Sequence, residues 1–278
     1  MNVLHAILLG LVQGLTEFLP VSSTAHLTLV ENLLLKQSMP LAFDVLLHGG
    51  TLLALLVYFR AEVTMILQGI GQKGSEGRRL AGWLCAAMVP TVLFGLLTKS
   101  LKEASKGHLA VYGVFLLITA GLLWAANSLA RKREGKPLTD MNLTDALCIG
   151  AIQGLGGGFG LSRSGSTIVV GVFRGLRLPD SVRFSFLLGI PTISAAFVYE
   201  GLGLLKTIHK GIPVSSLFPP GSASPLLLCT IGVVTAALSG YAAIGILDRF
   251  TRKPQLQGFA VYCALMGTFI IAFQTCLR

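Results

Sequence analysis

The chain has 278 residues, 53% of them hydrophobic and only 12% charged, with a mean hydropathy of +0.75. That leaves too little polar surface to cover a water-soluble globule of this length, so the composition describes an integral membrane protein. The formal net charge of +10 raises nucleic-acid binding as a reading. However, the basic residues sit in short connecting loops without interleaved aromatics, which is the positive-inside pattern and not that of a nucleic-acid groove.

In chain order, the first apolar run is Val3 to Leu19. It lacks a basic flank and a small-residue cleavage pattern and carries His5 and Glu17, so it is expected to belong to the mature fold and not to a removable leader. Pro20 ends it by removing a donor and biasing Leu19 away from helix, and a second short arm follows from Ser23 to Leu35. Long apolar stretches then run from Leu41 to Phe59, Leu80 to Thr98 and Leu109 to Ala130. A second broken pair, Asp145 to Leu155 and Gly165 to Leu176, precedes stretches from Phe184 to Leu205, Pro225 to Leu247 and Gly258 to Cys276. The six long stretches match the roughly 20 residues a bilayer core requires. The two broken pairs read as re-entrant helical hairpins, because irregular backbone at membrane depth needs protein or a wet cavity to cover it. Cys85, Cys148, Cys229, Cys263 and Cys276 lie in apolar runs without paired spacing and read as small buried hydrophobes, not as disulfides or a zinc site.

The halves repeat. Gly10-Leu-Val-Gln13-Gly14-Leu15 matches Gly150-Ala-Ile-Gln153-Gly154-Leu155 at an offset of 140, and each is followed by a Gly/Ser/Thr-rich turn. Phe43-Asp-Val-Leu46-Leu47-His-Gly-Gly-Thr51 matches Phe184-Ser-Phe-Leu187-Leu188-Gly-Ile-Pro-Thr192 at an offset of 141. Each half is then one hairpin plus three spans, and an odd number of crossings inverts the second copy. The expected fold is an all-α integral membrane protein of six transmembrane helices plus two re-entrant helical hairpins in an inverted-topology repeat. It forms one membrane domain over residues 1–278, with repeat 1 at about 1–130 and repeat 2 at about 140–278. Loop charge orients it. Fourteen basic residues (Arg60, Lys73, Arg78, Arg79, Arg131 to Arg133, Lys136, Arg174, Arg177, Arg183, Arg249, Arg252, Lys253) face seven on the other side (Lys36, Lys99, Lys102, Lys106, Lys206, Lys210, Arg278). The richer side is expected to be cytoplasmic, with both termini and the first hairpin's mouth outside and the two hairpin tips meeting near the midplane.

The polar residues of the turns are the candidates for chemistry. Glu17 lies one helical turn after Gln13, on the same face, and Ser22, Ser23, Thr24 and His26 follow at once. Ser22 or Ser23 is placed to cap the next helix, whose N-terminus suits a phosphate. In the second turn Arg163 is flanked by Ser162, Ser164, Gly165, Ser166 and Thr167, with Gly156, Gly157, Gly158 and Gly160 just before. A guanidinium, hydroxyls and a helix N-terminus make an oxyanion cradle. His5, His48, His108 and His209 have no evident partners and read as structural or interfacial. Asp44 reads as either a supporting acceptor or an exposed helix-start carboxylate.

Gln13-Gly-Leu-Thr-Glu17-Phe-Leu-Pro-Val-Ser22-Ser23-Thr-Ala-His26 and Gly160-Leu-Ser162-Arg163-Ser164-Gly165-Ser166-Thr167 resemble the two signature motifs of the undecaprenyl-diphosphatase, or bacitracin-resistance, family. The resemblance extends over essentially the whole chain. It implies hydrolysis of undecaprenyl diphosphate to undecaprenyl phosphate and inorganic phosphate at the outer face of the bacterial plasma membrane, recycling the lipid carrier of peptidoglycan synthesis. It also implies a divalent cation, Mg²⁺ or Ca²⁺, and interlocked inverted repeats. The chain departs from the family pattern at Gln13, where many members carry Glu, at Phe159, where Pro is usual, and at Cys263, where Arg is common.

On this reading Glu17, Ser23, His26 and Arg163 are catalytic, with Glu17 also a metal ligand, and Gln13, Ser22, Ser162, Ser164, Gly165 and Thr167 contact the phosphates. The attacking group is Ser23, assisted by His26, or His26 itself. The expected partners are a polyprenyl diphosphate lipid and the surrounding membrane lipids, with no nucleic acid; a homodimer stays open. A lipid-linked or ion-coupled transporter is the rival from another class, since broken helices meeting at the midplane also serve alternating access. A structural scaffold would give no reason to bury Glu17, His26 and Arg163.

Overall fold

A computed structural model of the chain describes residues 1–36, 38–105, 108–156, 159–210 and 213–276. Twelve α-helices are present among the described residues: α1 (Val3–Phe18), α2 (Ser23–Val30), α3 (Leu41–Tyr58), α4 (Arg60–Gly69), α5 (Glu76–Leu97), α6 (Lys99–Ser105), α7 (Leu109–Lys132), α8 (Leu143–Gly156), α9 (Arg163–Phe173), α10 (Leu178–His209), α11 (Pro225–Thr251) and α12 (Gln257–Cys276). Six of them, α3, α5, α7, α10, α11 and α12, are long and apolar enough to cross a bilayer. Outward-facing side chains such as Leu4, Leu97, Leu226 and Leu265 are well exposed, an apolar rim fitted to lipid. Lys106 and Arg278, counted in the loop charge, and Gly157 and Gly158 lie outside the described residues.

The pairs α1/α2 and α8/α9 are the two broken hairpins. The second arm of the first hairpin is not one continuous helix: after Val30 it loosens into a π-helical stretch, Glu31–Leu35, that ends at Lys36 in the left-handed region. Two short helices, α4 and α6, occupy loops that no apolar run marks. Helix α10 extends beyond the expected Phe184–Leu205 segment in both directions. Its 32 residues span about 48 Å at 1.5 Å per residue, well past a core of about 30 Å.

The hairpin helices pack across the halves. Helix α1 lies on α11, and α8 lies on α5. Each contact uses the repeated glycines. A Cβ at Gly10 or Gly14 would meet the backbone of α11 around Gly232 and Ala236, and one at Gly150 or Gly154 would meet that of α5 at Ala87 and Thr91. In each pair a hydroxyl of the partner helix donates to the carbonyl of the first glycine: Ser239 Oγ to Gly10 O (3.3 Å) and Thr91 Oγ1 to Gly150 O (2.9 Å). Such close backbone approach is how helices associate where lipid removes the hydrophobic drive between them.

The caps repeat as well. Asn2 accepts from His5 N at the start of α1 (2.9 Å), and Asn142 accepts from Asp145 N at the start of α8 (3.0 Å). Ser22 caps α2 by accepting from Ala25 N, and Ser162 caps α9 by accepting from Gly165 N. The capping residues of each pair are 140 positions apart.

Candidate active site

The two hairpin tips touch. Ser164 Oγ donates to Leu19 O (3.2 Å), and a Cβ on Gly165 would lie 3.2 Å from the Pro20 ring. Gly160, at the second tip, has φ of +89° and faces Tyr112 so closely that a Cβ would sit 2.8 Å from its ring. Position 160 therefore demands glycine on both counts. Ser22 adopts φ of 70°, unusual for a side-chain-bearing residue. Such strain is held only when the surroundings over-determine it, and here the chain must turn within four residues between two helices.

At the junction Glu17 organises three groups. Its Oε1 accepts from Arg163 Nη2 at 3.0 Å, its Oε2 accepts from Ser23 Oγ at 2.8 Å, and Gln13 Nε2 reaches the same Oε2 at 3.4 Å. Because Ser22 does the capping, the Ser23 hydroxyl is free for the carboxylate. The ion pair is largely enclosed, with 14% and 8% of the Arg163 and Glu17 side chains exposed. Among the described residues Arg163 Nη1 and Gln13 Oε1 are buried without a hydrogen-bond partner, leaving a donor and an acceptor unsatisfied at the junction.

These groups line a cavity of about 260 Å³ bounded by Thr16, Glu17, Ser22, Ser23, Thr24 and His48 on one side and by Leu161, Ser162, Arg163, Thr192, Ile193 and Ala196 on the other. Ser23, Thr24 and His48 also line a second, wider cavity of about 470 Å³ bounded further by Glu31, Ser38 and Asp44. Leu161 is shared with an apolar groove of about 500 Å³ formed with Leu101, Phe115, Leu155 and Phe159. Phe159 stacks on Phe115 with centroids 5.4 Å apart. Lys102 anchors this tip by donating to Gly154 O at 2.7 Å and lying over the Phe159 ring.

The structure thus brings together Glu17, Ser22, Ser23, Ser162 and Arg163 at the cavity, with Gln13, Ser164 and Gly165 directly behind them. Thr167 is buried further back, donating to Arg163 O at 2.8 Å and paired with Ser185 Oγ at 2.6 Å. His26 is turned away: its Nδ1 lies 2.8 Å from Ser22 O and its Nε2 2.6 Å from Tyr262 Oη, with the rings stacked, and it does not line the cavity. Cys263 Sγ donates to Pro20 O, holding the first tip from the side of α12. Thr192 and His48 also line the cavity, and neither was among the site residues expected from the sequence. The latter was legible as an Asp44/His48 pair at i, i+4 inside a span, but its direction depends on how α3 packs.

In the second half the residue equivalent to Gln13 has another task. Gln153 Nε2 donates to Thr192 Oγ1 (2.9 Å) and Thr91 Oγ1 (3.2 Å), tying α8 to α10 and α5. At the far end of α8, Asp145 accepts from Lys136 and Arg174. This cluster fixes the mouth of the second hairpin and takes no part in the cavity.

Among the described residues no group of three or more His, Cys, Asp or Glu side chains is placed to hold a metal ion. The junction itself offers the Glu17 carboxylate and the unpartnered Gln13 Oε1. Both Glu17 oxygens already accept protein hydrogen bonds, so a Mg²⁺ held there would have to complete its shell from substrate phosphates.

A family model described as bacitracin resistance protein BacA matches residues 6–269. Among curated proteins, the undecaprenyl-diphosphatase of Syntrophotalea carbinolica is 38% identical, covering 99% of this chain and 100% of the relative. Those of Teredinibacter turnerae and Saccharophagus degradans are 36% and 37% identical, with 97% and 98% of this chain covered and 98% of each relative.

Proposed function

Because the chain belongs to the bacitracin resistance protein BacA family, whose relatives above are undecaprenyl-diphosphatases, we propose that the Glu17–Arg163 cavity is where it works. The chain is a membrane hydrolase that dephosphorylates undecaprenyl diphosphate, and at residue level the Glu17–Arg163 junction would carry the chemistry. The observation that carries it is a single carboxylate bonded at once to a guanidinium from one half and a hydroxyl from the other hairpin arm.

A hydroxyl 2.8 Å from a carboxylate that a third group orients is the arrangement of an activated nucleophile. Ser23 Oγ attacks the terminal phosphorus and passes its proton to Glu17. The bridging P–O bond breaks and undecaprenyl phosphate leaves. Arg163 keeps Nη2 on Glu17 and turns its unpartnered Nη1 to a phosphoryl oxygen, offsetting the charge that spreads over those oxygens in the transition state. The N-terminal ends of α2 and α9 add their positive dipole ends. His26, held on both nitrogens, positions the Ser22–Ser23 turn from behind. Glu17 and Gln13 would hold a Mg²⁺ or Ca²⁺, which when bound offsets diphosphate charge.

The apolar groove at Leu161 suits the first isoprene units, leaving the rest of the tail among lipids. The vestibule past Asp44 and Glu31 would open to the outer face, with both termini outside, which is the orientation the loop charge favours. The duplicated halves, near 1–130 and 140–278, would then each supply one tip. Phosphate release tests the whole reading: purified protein in detergent with undecaprenyl diphosphate and Mg²⁺ should liberate inorganic phosphate. Ser23→Ala and Glu17→Ala should each lose at least about 10²-fold. A transporter needs two compartments and would release none, and unimpaired Ser23→Ala would rule out serine attack.

A further inference from the structure

The cavity contains a histidine that the mechanism above does not use. His48 of α3 lines the reaction cavity together with Glu17, Ser23 and Arg163, and it also lines the vestibule leading out of it. Its Nδ1 is held by Asp44 one turn earlier, 3.0 Å from the backbone oxygen and 3.6 Å from Oδ1. Among the described residues no protein group hydrogen-bonds Nε2, and the side chain remains 31% exposed to the space it borders. A backbone carbonyl bonded to one ring nitrogen, a carboxylate close beside it, and the other nitrogen left to the cavity is the orientation of a proton-accepting imidazole. His26 has the opposite arrangement, with both nitrogens bonded to protein groups.

The repeat gives an independent reason to place this position at the site. His48 aligns, at the offset of 141, with Gly189. At Gly189 a Cβ would lie 2.7 Å from Arg163 Nη1, so α10 presents this position to the same guanidinium that grips Glu17. One half thus leaves the position empty to admit Arg163, and the other fills it with an imidazole. Facing His48 are Asp44 on its own helix, Glu17 on α1, Arg163 on α9, Glu200 on α10 within electrostatic reach, and Glu31 across the vestibule.

We propose that His48, positioned by Asp44, is the general base of the second chemical step. The inference rests on Ser23 being the nucleophile, because only then is there a second step. After undecaprenyl phosphate has left, phosphate is esterified to Ser23 and Glu17 carries the serine proton. A water entering from the vestibule attacks phosphorus while its proton passes to His48 Nε2. The Ser23 Oγ–P bond breaks and Glu17 returns the proton to Oγ. Inorganic phosphate departs through the vestibule, and His48 gives up its proton to water there. Asp44 is a positioning residue that never meets the substrate.

The test uses the full chain in detergent with undecaprenyl diphosphate and Mg²⁺, following phosphate release and, after acid quench, phosphoserine at Ser23 by mass spectrometry. His48→Gln should lower steady-state turnover about 10²-fold with KM little changed, and phosphoserine should build up toward one per chain. His48→Ala should behave alike, which guards against an effect peculiar to the amide. Asp44→Asn should show the same accumulation with a smaller loss of rate. Turnover of His48→Gln within about twofold of the parent protein would overturn the proposal. So would slow turnover without phosphoserine in both His48 variants, since His48 would then act before attack. Active Ser23→Ala would sink the nucleophile reading itself, a result distinct from either.

Discussion

Glu17 bonds Arg163, Ser23 and Gln13 together, so its carboxylate orients the cation and, in the mechanism proposed above, would take the serine proton. In that mechanism Arg163 would act through the geometry of its planar fork: one nitrogen stays on Glu17 while the other turns to phosphate. A lysine would bring the same charge without the second donor in a fixed direction. Arg163→Lys should therefore lower kcat by about 10²-fold or more, measured by phosphate release; near-normal turnover would contradict the role. Most of these residues could be named from the sequence, because a carboxylate, a guanidinium and clustered hydroxyls are conspicuous in apolar surroundings. What could not be read is which hydroxyl caps and which bonds the carboxylate. Ser22 and Ser23 are chemically alike, and only the turn geometry assigns capping to the first and the carboxylate to the second.

Two of the helices work through what they lack. Gly189 leaves room on α10 for the Arg163 guanidinium, its absent Cβ standing 2.7 Å from Nη1. Gly189→Ala should leave the fold intact, since alanine is favoured over glycine in a helix by up to about 1 kcal/mol. It should nevertheless cut kcat/KM by about 10- to 100-fold through displacement of the guanidinium, with unfolding in detergent followed in parallel. Gly14 behaves differently. A Cβ there would overlap Ser239 and the backbone of α11, so Gly14→Ala should cost about 1 to 3 kcal/mol in overpacking and lower the thermal midpoint as well as activity. The contrast separates a glycine that admits a reactive group from one that admits a neighbouring helix. The six spans and both hairpins were visible as apolar runs and breaks. The short helices α4 and α6, and the loosening after Val30, were not, because nothing in local hydropathy marks them.

Over the whole molecule, the two hairpins are each clamped by a span of the opposite half, α1 by α11 and α8 by α5, and the site exists only where their tips meet. The mouth of the second hairpin is fixed by Asp145, which lies outside the six spans and accepts from Lys136, Asn142 and Arg174. Burial alone would raise its carboxyl, but the Lys136, Asn142 and Arg174 bonds outweigh burial and hold it below the usual aspartate value. A depressed carboxylate contributes stability that is fully present above its unfolded value near 4 and is lost as pH falls through the lowered one. Asp145→Asn should cost about 3 kcal/mol by leaving two cations with no carboxylate between them. It should also flatten the acid side of the stability profile in detergent, whereas an unchanged acid limb would mean the cluster adds no pH-dependent stability.

The sequence by itself determined the membrane class, the spans, the matching glycine and serine positions of the two hairpins and the polar residues that gather at their tips, because hydropathy, glycine spacing and polar groups in apolar runs are local properties of the chain. Only the tertiary structure decided that His48 faces the cavity while His26 is held by Ser22 and Tyr262. It alone decided that the equivalents Gln13 and Gln153 serve a carboxylate in one half and a helix junction in the other. Such assignments depend on which helix lies opposite, and that is set by contacts between residues far apart along the chain.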